Sequence, residues 1–103
     1  MKYDIILSPE AVDDLRDLKA SIRAAVRDAI EQYLRHEPTK TSKSRIKRLR
    51  GLSRPQYRLR VEEVRVFYDV TEKTVEVLAI IQKDEVEPWL KKAGEPHEDS
   101  STK

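Results

Sequence analysis

Cysteine is absent from this 103-residue chain, and glycine and histidine occur only twice each. Without cysteine there are no disulfides and no thiolate zinc sites, which agrees with a reducing cytosol. Gly51 and Gly94 stand alone, so no glycine-rich loop can cradle a nucleotide's phosphates. His36 closes a helical pattern and His97 lies in a polar tail, so no paired-histidine site or metal-ligand spacing is formed. No apolar run nears the roughly 20 residues needed to span a bilayer, and the start MKYDIIL lacks a signal-peptide core. The expectation is a soluble, cytoplasmic protein with no membrane partner and no cofactor. Only six aromatic residues are present, four tyrosines with Phe67 and Trp89, so each one is worth placing.

Charge is plentiful, at 39% of residues, and it is segregated. Between Pro38 and Val61 lie nine basic residues (Lys40, Lys43, Arg45, Lys47, Arg48, Arg50, Arg54, Arg58 and Arg60) and no acid. Outside this block 12 basic residues face 19 acidic ones, so the net +2 divides into +9 and −7. Such a split points to a polyanionic partner on one face, and would also suit an acidic protein.

The hydrophobic pattern gives the order of elements. Tyr3, Ile5 and Leu7 alternate through Lys2 to Leu7, a short first strand. Ser8 and Pro9 then supply an N-cap and an N1 proline, with Val12, Leu15 and Leu18 at helical spacing. Ile22, Val26, Ile30 and Leu34 mark a second helix, antiparallel to the first, with the break near Lys19 to Ser21 and the end near His36 before Pro38. Thr39 to Ser44 reads as a flexible basic loop, which Ile46, Leu49 and Leu52 could dock on the core. Tyr57 to Val61, Val64 to Val70 and Thr74 to Ile81 form a three-strand antiparallel meander, and Asp84 is placed to cap a short helix carrying Val86, Trp89 and Leu90. Gly94 to Lys103 has nothing to bury and is expected to be a disordered tail on a domain of residues 1–93. The fold class is α+β, an antiparallel sheet with helices packed on one face.

Chemistry concentrates on the exposed side of the meander. Arg58 and Arg60, two residues apart, point the same way, and Arg65 on the next strand adds a third guanidinium. Guanidinium forks match phosphate oxygens and stabilise charge developing at phosphorus. The plainer reading is a solvated face balanced by Glu62, Glu63 and Asp69, and the contiguous basic block weighs against it. Lys40, Lys43, Arg45, Lys47, Arg48, Arg50 and Arg54 are expected to contact RNA backbone without reading sequence. Tyr57 and Tyr68 alternate within strands and are read first as core, and Trp89 first as a packing anchor. With no metal-binding pattern, phosphoryl chemistry would proceed by attack of an RNA 2′-hydroxyl on its adjacent phosphate.

The series KRLRGLSRPQYRLRVEEVRVFYDV, followed by an apolar strand, Lys83 and a terminal helix, resembles the RelE/ParE superfamily of type II toxin–antitoxin toxins. The resemblance runs from Met1 to about Lys92. It implies a fold like the small microbial ribonucleases, metal-free cleavage of mRNA in the ribosomal A site, and a cognate antitoxin that covers the basic face. By motif the functional positions fall on Arg58, Arg60, Arg65, Lys83 and Trp89. Trp89 stands where relatives often carry tyrosine, and an indole does not donate a proton as a phenol does. Lys83 could take that role if basic neighbours lowered its pKa. The ParE branch, which shares the fold and acts on DNA gyrase, is the alternative target class, and a non-catalytic nucleic-acid or antitoxin-binding relative is the third.

Overall fold

The computed structural model describes residues 2–96. Five strands form one mixed sheet, ordered β1-β6-β5-β4-β2. They are β1 (Asp4–Leu7), β2 (Ile46–Arg48), β4 (Tyr57–Val61), β5 (Val64–Val70) and β6 (Thr74–Gln82). Helices α1 (Pro9–Arg16) and α2 (Ala20–Ala29) make the hairpin that sequence predicts, and a wide π-type turn, Ile30–Leu34, extends α2. The meander β4-β5-β6 is antiparallel as expected, but β1 joins β6 in parallel. The helical hairpin between β1 and the meander returns the chain to the far edge of the sheet and makes this direction possible.

Ser8 fastens the first junction. Its hydroxyl accepts from Ala11 N at 3.0 Å as an N-cap and donates to Leu78 O at 2.9 Å. Leu78 is the extra residue of a bulge, since Phe67 pairs with Ala79 and Tyr68 with Val77. Beyond the end of β1, the Ile80 amide of β6 donates to Asp14 Oδ2 of α1 at 2.9 Å. Burial pushes the Asp14 carboxyl above its ordinary range, and this hydrogen bond opposes the shift. Ala11, not Val12, carries α1 into the core: Ala11 is fully buried and Val12 is exposed. The hairpin breaks at Asp17–Lys19, where Arg23 reaches back to the carbonyls of Leu15, Arg16 and Leu18.

Alternation along the strands gives the sheet two unlike faces. Ile46, Leu59, Val61, Val64, Val66, Tyr68, Val75, Val77 and Ile80 join Ala11, Leu15, Val26, Ile30 and Leu34 in the core beneath α1 and α2. Arg58, Arg60, Arg65, Phe67 and Asp69 belong to the opposite face. The C-terminal helix α3 (Val86–Ala93) lies there too, since Trp89 stacks on Phe67 with centroids 4.9 Å apart. The expectation that all helices pack on one side therefore fails for α3, whose single indole finds its apolar partner on the arginine side. Asp84 does not cap this helix; it sits inside a 3₁₀ turn, Lys83–Glu85, with no side-chain cap.

Glu95–Pro96 form β7 and pair with β3 (Leu52–Arg54), and Ser53 Oγ donates to Glu95 O at 3.3 Å. The remainder of the expected tail, residues 97–103, lies outside the described residues. Hydrogen bonds tie the basic loop to β2. Ser42 N donates to Ile46 O at 3.0 Å, and Ser42 Oγ accepts from Arg45 N at 3.0 Å.

Candidate functional site: an arginine-lined sheet face

Strand register assembles the site. Arg60 lies directly opposite Arg65, and Arg58 opposite Phe67. The Arg60 amide points away from β5, donating to Arg45 O at 2.8 Å. Arg60/Arg65 and Arg58/Phe67 are thus non-hydrogen-bonded pairs, the class with Cα atoms about 4.5 Å apart and side chains closest. Two like charges are held face to face, an arrangement that costs the sheet stability.

The three arginines differ in environment. Arg58 is half-buried, and its Nε is buried with no hydrogen-bond partner. One terminal nitrogen donates to Ser44 O at 3.4 Å. Burial first, then the charges of Arg65 and Arg60, draw its pKa below the ordinary guanidinium value. Arg65 is drawn down in the same way by burial and by Arg60, while Glu63 opposes. One Arg65 nitrogen donates to Glu62 O and Val64 O, both at 3.0 Å, which fixes the guanidinium over the β4–β5 turn. The Arg60 side chain is exposed and has no partner among the described residues. The result is one fixed cation, one part-desolvated cation with an unused donor, and one free cation on a single patch.

The other expected residues divide. Lys83 stands at the end of β6 with Nζ 3.3 Å from a Glu63 oxygen. Its neighbour is a carboxylate, not the basic surroundings that were expected. Trp89 is spent as an anchor on Phe67. Arg54 is held between Asp69 at 3.5 Å and Glu76 at 3.6 Å, at the acidic end of the same face. Asp69 also accepts from Gln56 N at 2.8 Å, and burial raises its pKa against the pull of that bond and of Arg54.

Arg45 lies over the Tyr33 ring at 5.0 Å and Arg48 over Tyr57 at 5.3 Å, so both guanidiniums wrap toward the helix side. Lys40 pairs with Glu37 at 3.7 Å. Lys43 and Arg50 are exposed in the turns, and Lys47 is on β2 directly opposite Arg58. The nine-residue basic block is therefore not one uniform grip. Tyr68 is buried in the core and the half-buried Tyr57 stacks on it at 5.4 Å, and the Tyr68 hydroxyl donates to Pro38 O at 2.7 Å with its pKa pushed up by burial. Both lie on the core side of the sheet, as their alternation suggests.

Sequence reading did not single out Phe67 for the site, although its parity with Arg65 along β5 was available as a signal.

A mixed five-strand sheet with a helical hairpin behind it is an architecture this chain shares with toxins of type II toxin–antitoxin systems. The structure matches the RelBE2 toxin–antitoxin complex of Mycobacterium tuberculosis with a TM-score of 0.65 at 25% identity, over 80% of this chain and 99% of that one. It matches the RelE–RelB complex of Pyrococcus horikoshii at 0.61 and 25%, over 81% and 97%. A mutant of the E. coli toxin RelE in the free state matches at 0.55 and 18%, over 90% and 99%. Comparison with curated proteins gives no match. The family model for the ParE toxin of type II toxin–antitoxin systems matches residues 5–86. The chain belongs to that family, and so to the RelE/ParE superfamily of toxins.

Proposed function

We propose that this toxin is a ribosome-dependent mRNA endoribonuclease that works through its arginine face and is neutralised by a cognate antitoxin covering that face. The observation that carries the reading is the directly opposed Arg60/Arg65 pair beside Arg58, whose Nε is buried without a partner. Natural sheets avoid unneutralised like-charge pairs. A polyanion bound between them converts the repulsion into binding. An RNA phosphate seated there receives charge-assisted hydrogen bonds from guanidinium forks, and these strengthen as a 2′-oxygen attacks and charge builds on the non-bridging oxygens. Lys43 and Arg50 add exposed charge in the turns that flank β2, and each phosphate they neutralise steepens the salt dependence of binding.

Growth arrest on expression, with mapping of mRNA 5′ ends, tests this reading. The wild type should produce new ends within translated codons. Arg60→Ala and Arg65→Ala should abolish both arrest and new ends while retaining native circular dichroism. Undiminished cleavage by both variants would remove these residues from the mechanism.

A second reading, inhibition of DNA gyrase, is favoured by the family model itself, which is that of the ParE toxins. On that reading the arginine face and α3 bind a protein. DNA damage and lost supercoiling activity with mRNA left intact would select it.

A further inference from the structure

The basic block looks like a set of interchangeable loop charges, but strand register takes one of them out of the loop. Lys47 is the central residue of β2 and lies directly opposite Arg58. Its neighbour Ile46 is buried in the core at 3% exposure, so Lys47 points to the arginine face. Backbone hydrogen bonds fix the class of the pair. Arg60 N donates to Arg45 O and Leu49 N to Gln56 O, which makes Lys47/Arg58, midway between them, a hydrogen-bonded pair with Cα atoms about 5.5 Å apart. Two neighbouring rows therefore carry Lys47, Arg58 and Phe67, then Arg60 and Arg65.

Lys47 is the only member of these rows that carries an ammonium, since the other cations are guanidiniums, which hold their protons. The tyrosines, Trp89 and Lys83 are committed elsewhere. All four tyrosines, Tyr3, Tyr33, Tyr57 and Tyr68, pack in or against the core beneath the helices. Trp89 offers only an indole, and Lys83 pairs with Glu63. Lys47 is exposed and has no partner among the described residues.

We infer that Lys47 is the proton donor of this site, giving its ammonium proton to the 5′-oxygen that departs when the phosphodiester is cut. The inference rests on the ribonuclease reading above. In the step, the 2′-oxygen loses its proton to solvent water and bonds to phosphorus. The bond from phosphorus to the 5′-oxygen breaks, and the Lys47 Nζ proton passes to that oxygen. The products are a 2′,3′-cyclic phosphate and a free 5′-hydroxyl, and the neutral amine recovers a proton from water. Arg58, Arg60 and Arg65 hold the phosphate throughout and keep their protons.

A leaving group that needs no proton isolates this role. Ribosomes are programmed with an mRNA carrying either the natural oxygen or a bridging 5′-sulfur at the scissile position, and cleavage by wild type, Lys47→Ala and Lys47→Arg is timed. On the oxygen substrate both variants should lose about 100-fold or more in rate, the usual scale of general acid catalysis. On the sulfur substrate, where thiolate leaves unprotonated, both should approach the wild type. Lys73→Ala, exposed in the β5–β6 turn, should cut both substrates at the wild-type rate. Lys47→Arg cutting the oxygen substrate normally, or both variants being impaired equally on the two substrates, would overturn the donor role and leave a charge or binding role. Absence of cleavage by the wild type would overturn the ribonuclease reading and the inference with it.

Discussion

Replacing Arg60 by glutamine should make the protein more stable while disarming it. Arg60 and Arg65 face each other as a non-hydrogen-bonded pair, and no carboxylate binds the Arg60 guanidinium among the described residues. Two unit charges about 5 Å apart in water repel by roughly 0.8 kcal/mol. Directly opposed cross-strand charges contribute about 0.2–1 kcal/mol, a similar scale. Exposure of Arg60 places the expected gain in the lower half of that range, about 0.5 kcal/mol at low salt. Glutamine keeps much of the aliphatic stem, so packing changes little. Arg65→Gln is not equivalent, because it gives up the bonds to Glu62 O and Val64 O. A double-mutant cycle on the two positions therefore separates repulsion from anchoring. Urea unfolding followed by circular dichroism and Trp89 fluorescence measures each corner of the cycle. The coupling should shrink as salt rises from 0.1 M to 1 M, where the screening length falls from about 10 Å to about 3 Å. Growth arrest should be lost wherever Arg60 is replaced. A variant less stable than wild type at low salt, or a coupling of zero, would mean that the two charges do not face each other, and the site argument would fall with it.

Asp69 gives a pH signature. Its folded-state pKa is raised from 3.8, chiefly by burial, so its contribution favours folding fully below about pH 4 and is lost as pH rises through the folded value. Asp69→Asn keeps an oxygen for Gln56 N and removes this dependence. Wild type should lose more stability than Asp69→Asn between pH 4 and pH 7, and parallel urea midpoints for the two would contradict this. Trp89→Ala removes the Phe67 stack, worth about 0.5–1.5 kcal/mol beyond its area. Hydrogen exchange should then speed up in α3 while β5 and β6 stay protected; unchanged exchange in α3 would show that other contacts hold it. Gly94→Ala would set a Cβ 2.6 Å from Leu90 O, a backbone atom. About 1–3 kcal/mol of overpacking is expected, with loss of the β3–β7 pairing seen as lost amide protection at Leu52–Arg54. Full protection there would refute the close contact.

The elements that sequence revealed are those whose burial has a clean period. Tyr57 to Val61 and Val64 to Val70 alternate because one face is buried under helices, and Ile22, Val26, Ile30 and Leu34 repeat because they line one helix stripe. What stayed hidden depends on partners far along the chain. β2 is three residues long, too short to show a period, and only its pairing with β4 reveals which way Lys47 points. β1 reads as a strand, yet its parallel direction is set by where the helical hairpin delivers it. α3 shows an apolar side, but Phe67 draws its indole to the opposite face from the hairpin. The ion pairs of Arg54 and the ring contacts of Arg45 and Arg48 join residues well separated in sequence, as with Arg54 and Glu76. A charge count treats all nine basic residues alike, and the fold does not.

The same period that exposes the arginines also withdraws the phenols. On β4, Tyr57 alternates with Arg58 and Arg60; on β5, Tyr68 takes the parity opposite to Arg65. A one-residue slip of either strand would turn every side chain over. Phenols would then reach the open face only by sending guanidiniums into the core, where an unpaired charge costs several kcal/mol. Tyr68 illustrates how settled the present arrangement is, with its hydroxyl bonded to Pro38 O and its ring stacked on Tyr57. Within this register β4 and β5 bring three arginines and no phenol to the front of the sheet, so on the ribonuclease reading the proton donor comes from another element. β2 delivers one, at Lys47, in register with the arginine whose Nε has no partner.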